Sequence, residues 1–137
     1  MFKVFGLKCS PLPIPAATST VAAGWPSPAD DYLDGHIDLS EHLIPHPSAS
    51  FIVRASGWSM RDAGIHDGDE LIVDRSLSPR DGQIVIAVVD GDFTCKTLHT
   101  KGKPRLAAAN PSYPDIPLAG RDVEVWGVVT YVLHHAP

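Results

Sequence analysis

The feature that most restricts this chain is a rhythm of short β-branched runs, punctuated at three places by an aspartate–glycine pair. The runs are FIVRA (51–55), ELIVD (70–74), QIVIAVV (83–89), DFTCKTLH (92–99), PRLAAA (104–109) and VEVWGVVTYVL (123–133). Between them stand Asp67-Gly68-Asp69, Asp81-Gly82 and Asp90-Gly91. Val, Ile, Thr and aromatic side chains suit a pleated surface, and glycine beside aspartate supplies the positive φ that a tight reversal needs. Val89-Asp90-Gly91-Asp92, set between two apolar runs, predicts a hairpin with a type I′ turn. Many short strands punctuated in this way predict a mostly β fold with low helical content. The one helical signal is Asp38-Leu39-Ser40-Glu41-His42-Leu43, a single turn capped by Asp38 with Glu41 three residues on.

The N-terminal third has a different character. Pro11, Pro13, Pro15, Pro26 and Pro28 stand among small residues. Proline removes a donor and holds its predecessor extended, so residues 1–38 are expected to be an irregular, extended, flexible arm ahead of a β-rich domain over 39–137. At 137 residues the chain suits one domain. Its charge is uneven: residues 1–23 carry +2, residues 24–50 carry −5 with no Lys or Arg, and the rest carries −2, for a net −5. A duplex-binding face needs clustered basic residues, so direct DNA binding is not expected. Cys9 and Cys95 each stand alone, which indicates neither a zinc framework nor a disulfide scaffold. No metal or cofactor is expected: His46 has no second ligand at metal spacing, and P-loop and dinucleotide patterns are absent. His134-His135 reads as a frayed end. The broken start MFKVFGLKCSPLPIP and the lack of an eighteen-residue apolar stretch suggest no signal peptide and no membrane span, hence a cytoplasmic protein.

Two residues invite chemistry, and each has a bland alternative. Ser59, in Gly57-Trp58-Ser59-Met60-Arg61-Asp62, has Asp62 three residues on and could simply cap a helical turn ending near Gly64. The same corner would expose its hydroxyl beside unpaired N–H donors able to hold an oxyanion. Lys96, in Phe93-Thr94-Cys95-Lys96-Thr97-Leu98, could guard an exposed strand edge. If it were buried instead, desolvation would favour the neutral amine, which can take a serine proton. Strand alternation puts it on a face with Thr94 and Leu98, which decides neither way.

The stretches GWPSPADDY, IDLSEHLIPHPSASFIVRASGWSM, GIHDGDELIVDRS, GQIVIAVVDGDFTCKTL and WGVV occur in this order. In this the chain resembles the UmuD family, the self-cleaving partners of an error-prone DNA polymerase, and through it the LexA-like and signal-peptidase group of serine–lysine peptidases. The resemblance implies a β-rich fold with an N-terminal arm, Ser59 as nucleophile and Lys96 as general base. It also implies cleavage between Ala23 and Gly24, and an oxyanion hole is expected from the backbone N–H groups of Ser59 and Met60. Gly24 precedes Ser59 by thirty-five residues and Ser59 precedes Lys96 by thirty-seven, as that family requires. The implied partners are a second copy of the chain in a homodimer, a RecA filament on single-stranded DNA that promotes cleavage, and a UmuC-type polymerase engaged in translesion synthesis during the SOS response. Ala22 and Ala23 are small enough for close approach, and Pro26 and Pro28 would keep the chain extended beyond the bond. Two positions depart from the family: Ala23 replaces the commoner cysteine, and Trp58 replaces a usually acidic residue, placing a large ring beside the serine. The main competing reading is a non-catalytic binding module for a DNA polymerase. A phage-type repressor would need a DNA-binding helix pair, and a signal peptidase a membrane anchor.

Overall fold

A computed structural model describes residues 3–17, 23–24 and 33–137. The chain divides into two compact units, one of Met1–Lys8 with His46–Pro137 and one of Cys9–Pro45. The strands of the larger unit are β1 (Lys3–Gly6), β4 (Ser50–Arg54), β5 (Glu70–Asp74), β6 (Ile84–Val89), β7 (Asp92–His99), β8 (Arg105–Ala107), β9 (Ile116–Pro117) and β10 (Val123–Leu133). They form one antiparallel sheet in the order β1-β4-β5-β10-β6-β7-β8-β9. The smaller unit holds β2 (Pro13–Ala17), β3 (Leu33–Asp38) and the single α-helix among the described residues, α1 (Leu39–Leu43).

The turn chemistry explains the sharpest connection. Asp90 and Gly91 have φ of 49° and 89°, both positive as a type I′ turn requires, and Val89 pairs with Asp92 across it. Aspartate is among the few non-glycine residues that adopt this conformation readily, and here its side chain is held across the sheet end, Asp90 Oδ1 accepting from Asp122 N at 3.2 Å.

The apolar runs lack clean alternation because both faces of the sheet are covered. Along β6, Ile86 packs with Val53, Leu71, Val73 and Met60, while Val85 and Ala87 pack with Leu98, Leu106 and Val128. The long strand β10 lies between β5 and β6, and its register slips between Val125 and Gly127 and again between Val129 and Tyr131. At the first slip a Cβ on residue 127 would come within 2.5 Å of Val73 Cγ1, so only glycine lets the bulged backbone approach β5.

The N-terminal region departs from expectation. Rather than being irregular, it contributes β1, β2 and β3. Lys3–Gly6 adds an edge to the sheet by pairing with Phe51–Arg54, and Pro13 and Pro15 sit in a two-stranded ribbon with β3, where a missing N–H is tolerated. Long-range pairing overrides local propensity here. Asp38 caps α1 as expected, its Oδ1 accepting from Ser40 N at 3.1 Å, and the same oxygen accepts from Leu12 N at 2.9 Å. The second compact unit runs from Cys9 to Pro45. Ala22, Pro26 and Pro28 lie outside the described residues.

The C-terminal histidines also differ from the expected frayed end. His134 Nδ1 donates to Asp69 Oδ1 at 2.6 Å, and that aspartate is buried. No helix among the described residues is long and apolar enough to cross a membrane.

Candidate active site

The chain leaves β4 at Arg54 and enters a loop tied down on both sides. Ala55 N donates to Asp69 O at 2.8 Å, and Gly68 N donates to Ala55 O at 2.9 Å. Gly57, at φ 86°, turns the chain outward, and its N–H is held by Asp67 Oδ1 at 2.7 Å. Ser59 follows, then a short 3-10 turn over Arg61–Ala63 that Gly64 ends in the left-handed conformation.

Ser59 is not the cap of that turn. The N-cap position is Met60, no side chain caps it, and Asp62 Oδ1 instead accepts from Arg61 Nε at 3.1 Å. The serine hydroxyl is thereby left for another partner. A second strap fixes the loop from the far side: Ala109 N donates to Ser59 O, Asp62 N to Ala109 O and Asn110 Nδ2 to Trp58 O, each at 2.8 Å. Asn110 is buried, and its Oδ1 accepts from Ser112 N at 3.0 Å. Nothing in the local pattern AAANPSY marks Asn110 as a support for the serine loop, since the partners lie fifty-two residues apart.

Lys96 rises from the middle of β7, paired to Val85 of β6. The edge-guard alternative is excluded, because the residue is only 7% exposed. Its Nζ reaches Thr94 Oγ1 at 2.8 Å, Cys95 O at 3.1 Å and Ser59 Oγ at 3.2 Å. All three are neutral oxygens, and no acidic side chain forms an ion pair with it among the described residues. Burial therefore holds its pKa below the ordinary lysine value, with only Cys95 acting in the other direction. That thiol is itself pushed up to about 12 by burial, so at neutral pH it carries no charge with which to oppose the shift. A neutral amine has two N–H donors and one lone pair. Thr94 and Cys95 can take the donors, leaving the lone pair for the Ser59 proton.

Ser59 opens onto a groove of about 130 Å³, lined by Ala55, Ser56, Gly57, Ser59, Met60 and Ile65 on the loop side and by Phe93, Thr94 and Cys95 on the β7 side, with Lys96 reaching the serine from behind that lining. Among the described residues, the backbone N–H groups of Ser59 and Met60 donate to no backbone carbonyl. Trp58 does not line this groove. Its ring is half exposed and lies 6.0 Å, centroid to centroid, from the imidazole of His66. Thr94 was within reach of sequence reasoning, since it shares the strand face of Lys96 two residues away. The part played by Asn110 was not. Ala23 and Gly24 are both exposed in the second compact unit.

A mostly β domain that buries a lysine amine, its pKa lowered, 3.2 Å from a serine hydroxyl presents the side-chain pair of a serine–lysine hydrolase. Residues 15–130 match the Peptidase S24-like family, and the chain is a member of it. It is 43% identical to protein SamA of Salmonella typhimurium over 120 residues, covering 88% of this chain and 84% of that one. It is likewise 43% identical to protein MucA of Escherichia coli over 126 residues, covering 90% and 86%. Similarity to the LexA repressor of Idiomarina loihiensis reaches 46% over 83 residues, 61% of this chain but 40% of the repressor. The UmuD-type resemblance thus holds, and the chain is a self-cleaving serine peptidase that works with an error-prone polymerase in the SOS response.

Proposed function

We propose that Ser59 and Lys96 are the catalytic dyad, that the bond they cut is Ala23–Gly24, and that the arm over residues 1–38 is the substrate segment. The observation that carries this reading is the 3.2 Å approach of Lys96 Nζ to Ser59 Oγ at the edge of the groove, with only neutral oxygens as the amine's partners. Neutral Lys96 takes the hydroxyl proton as Ser59 Oγ attacks the Ala23 carbonyl carbon. The N–H groups of Ser59 and Met60 hold the resulting oxyanion. The Lys96 ammonium then gives its proton to the departing Gly24 amine, leaving residues 1–23 as an ester on Ser59. Water, deprotonated by Lys96, hydrolyses that ester and restores the serine. Because the substrate is tethered, its effective concentration is high, and a single turnover needs little affinity. Small Ala23 in place of the commoner family cysteine fits the same scheme.

In this reading a RecA filament on single-stranded DNA promotes cleavage, and the shortened chain, as a homodimer, joins a UmuC-type polymerase in the cytoplasm. Direct DNA contact is not needed, in keeping with the net charge of −5. The test is to incubate the wild type and Ser59→Ala with RecA filaments and follow the N-terminus by mass spectrometry. The wild type should yield a chain beginning at Gly24, and Ser59→Ala should stay intact while folded. Equal cleavage of the two proteins would remove Ser59 from the mechanism.

A further inference from the structure

A second cluster of reactive side chains lies outside the groove. His66 and Asp69 come from the loop before β5 and His134 from the segment after β10, and one ligand atom from each lies within 4.8 Å of the others. His66 and His134 face each other edge to face, with centroids 5.0 Å apart. The carboxylate between them is pre-positioned. Asp69 is 4% exposed, its Oδ2 accepts from His66 N at 2.8 Å, and its Oδ1 accepts from His134 Nδ1 at 2.6 Å. Gly68, at φ 86°, makes the tight turn that brings His66 and Asp69 together. A shallow depression lined by Glu70, Val132, Leu133, His134 and His135 opens at His134, so an ion can enter from that side.

We propose that His66, Asp69 and His134 form a binding site for a divalent transition-metal ion, with zinc the best match. Two imidazoles and one carboxylate are a borderline donor set that suits zinc and its neighbours and disfavours calcium and magnesium, which take oxygen ligands. Tetrahedral zinc at about 2.0 Å from each ligand would hold the ligand atoms about 3.3 Å apart. Reaching that spacing requires rotation of the histidines, with the 53% exposed His134 ring exchanging its bond to Asp69 for the ion. The buried carboxylate stays in place, oriented by the His66 amide in the way that outer contacts commonly hold a zinc ligand. A fourth position is left for water. Sequence spacing hid this set, because His66 and His134 are brought together only by the pairing of β5 with β10. The site does not depend on the Ser59–Lys96 reading. It nevertheless adjoins that loop, since the Trp58 ring packs by His66.

The test uses the full chain with zinc chloride in calorimetry and cobalt chloride in visible spectroscopy. One zinc per chain should bind, and cobalt should give the intense band of a tetrahedral complex. His66→Gln and His134→Gln should each weaken zinc binding at least about tenfold and remove the band. His135→Gln, one residue outside the set, should leave both unchanged, and circular dichroism checks that every variant is folded. Failure of the wild type to bind zinc stoichiometrically would overturn the proposal. So would retention of affinity in either folded His66→Gln or His134→Gln, since a site that does without one of them is not this site.

Discussion

Lys96 and Asp74 are both buried in the sheet, 7% and 2% exposed, and the surroundings treat them in opposite ways. Around Asp74, burial works to raise the pKa but is outweighed by hydrogen bonds from Ser76 and His46, so the carboxyl is held below its ordinary value. Its Oδ1 accepts from Ser76 N at 2.8 Å and Ser76 Oγ at 2.6 Å, and its Oδ2 from His46 Nδ1 at 2.6 Å. Lys96 has only neutral acceptors, and burial favours its uncharged form. One group is surrounded by donors that keep its charge and hold the chain together. The other is denied a counter-charge and kept reactive. The donors and acceptors around a buried group, more than its depth, decide whether it serves structure or chemistry.

The comparison breaks most visibly by substitution. Lys96→Met should abolish RecA-promoted cleavage, a loss of at least about a thousandfold if the amine is the base that activates Ser59. Its stability in urea should be unchanged or higher, because an unpaired buried amine is replaced by an apolar side chain of similar length. Asp74→Ala should do the reverse. It removes the acceptor of three hydrogen bonds and should lower stability by about 2–4 kcal/mol, while the folded fraction still cleaves. Parallel urea melts and cleavage assays read both. If Lys96→Met unfolds the protein and Asp74→Ala leaves it stable, the assigned roles are interchanged.

The two groups also act in different pH windows. Asp74 binds its proton less readily in the folded chain than the unfolded pKa of about 3.9 would dictate. Its contribution to stability is complete above that value and is lost as pH falls through the lowered folded pKa. Lys96 also holds its proton less readily when folded. Here the protonated form is the costly one, so the penalty is full below the folded pKa and fades as pH rises toward about 10.4. Stability therefore rises with pH in two separate steps, one acid and one alkaline. Cleavage should follow the alkaline titration alone. Urea midpoints measured against pH should lose the alkaline step in Lys96→Met and part of the acid step in Asp74→Ala. An unchanged alkaline step without Lys96 would assign that titration to another group.

The sequence revealed these regions unequally. Strand positions were legible wherever a local signal existed: the Asp-Gly pairs located the turns, and Asp90 and Gly91 have the positive φ that their identity predicts. Elements set by distant partners were not, so β1 was invisible without β4, and His134 looked like a frayed end until β10 placed it beside Asp69. For the site, spacing alone left Ser59 open between a helix cap and a nucleophile, and Lys96 between an edge guard and a base. The family resemblance pointed to the pair, and the fold places their side chains 3.2 Å apart. Of the supports, Thr94 lies within the family-matching stretch GQIVIAVVDGDFTCKTL, but nothing there assigned it a role, and Asn110 lies in none of the family-matching stretches. Their roles come from which atoms they reach.

Thr94 offers the finest adjustment of the contrast. Its Oγ1 accepts from Lys96 Nζ at 2.8 Å, the shortest of that amine's three contacts. Thr94→Val keeps the branched shape on β7 and deletes only the oxygen. An ammonium gains more from that acceptor than a neutral amine does, since bonds to charged groups contribute about 1.5–3 kcal/mol against about 1 for neutral ones. Removing it should lower the lysine pKa further and move the midpoint of the cleavage–pH profile to lower pH. The amine would also lose one of the two bonds that aim its lone pair at Ser59, so the plateau rate should fall, by roughly three- to tenfold. Thr94→Ser, which restores the oxygen, should return both quantities toward wild type. A plateau that falls without any shift of the midpoint would show Thr94 acting on geometry alone. The hydroxyl would then not oppose the neutral state of Lys96 at all, and the lowered pKa would be set by burial without any measurable counterweight from this acceptor.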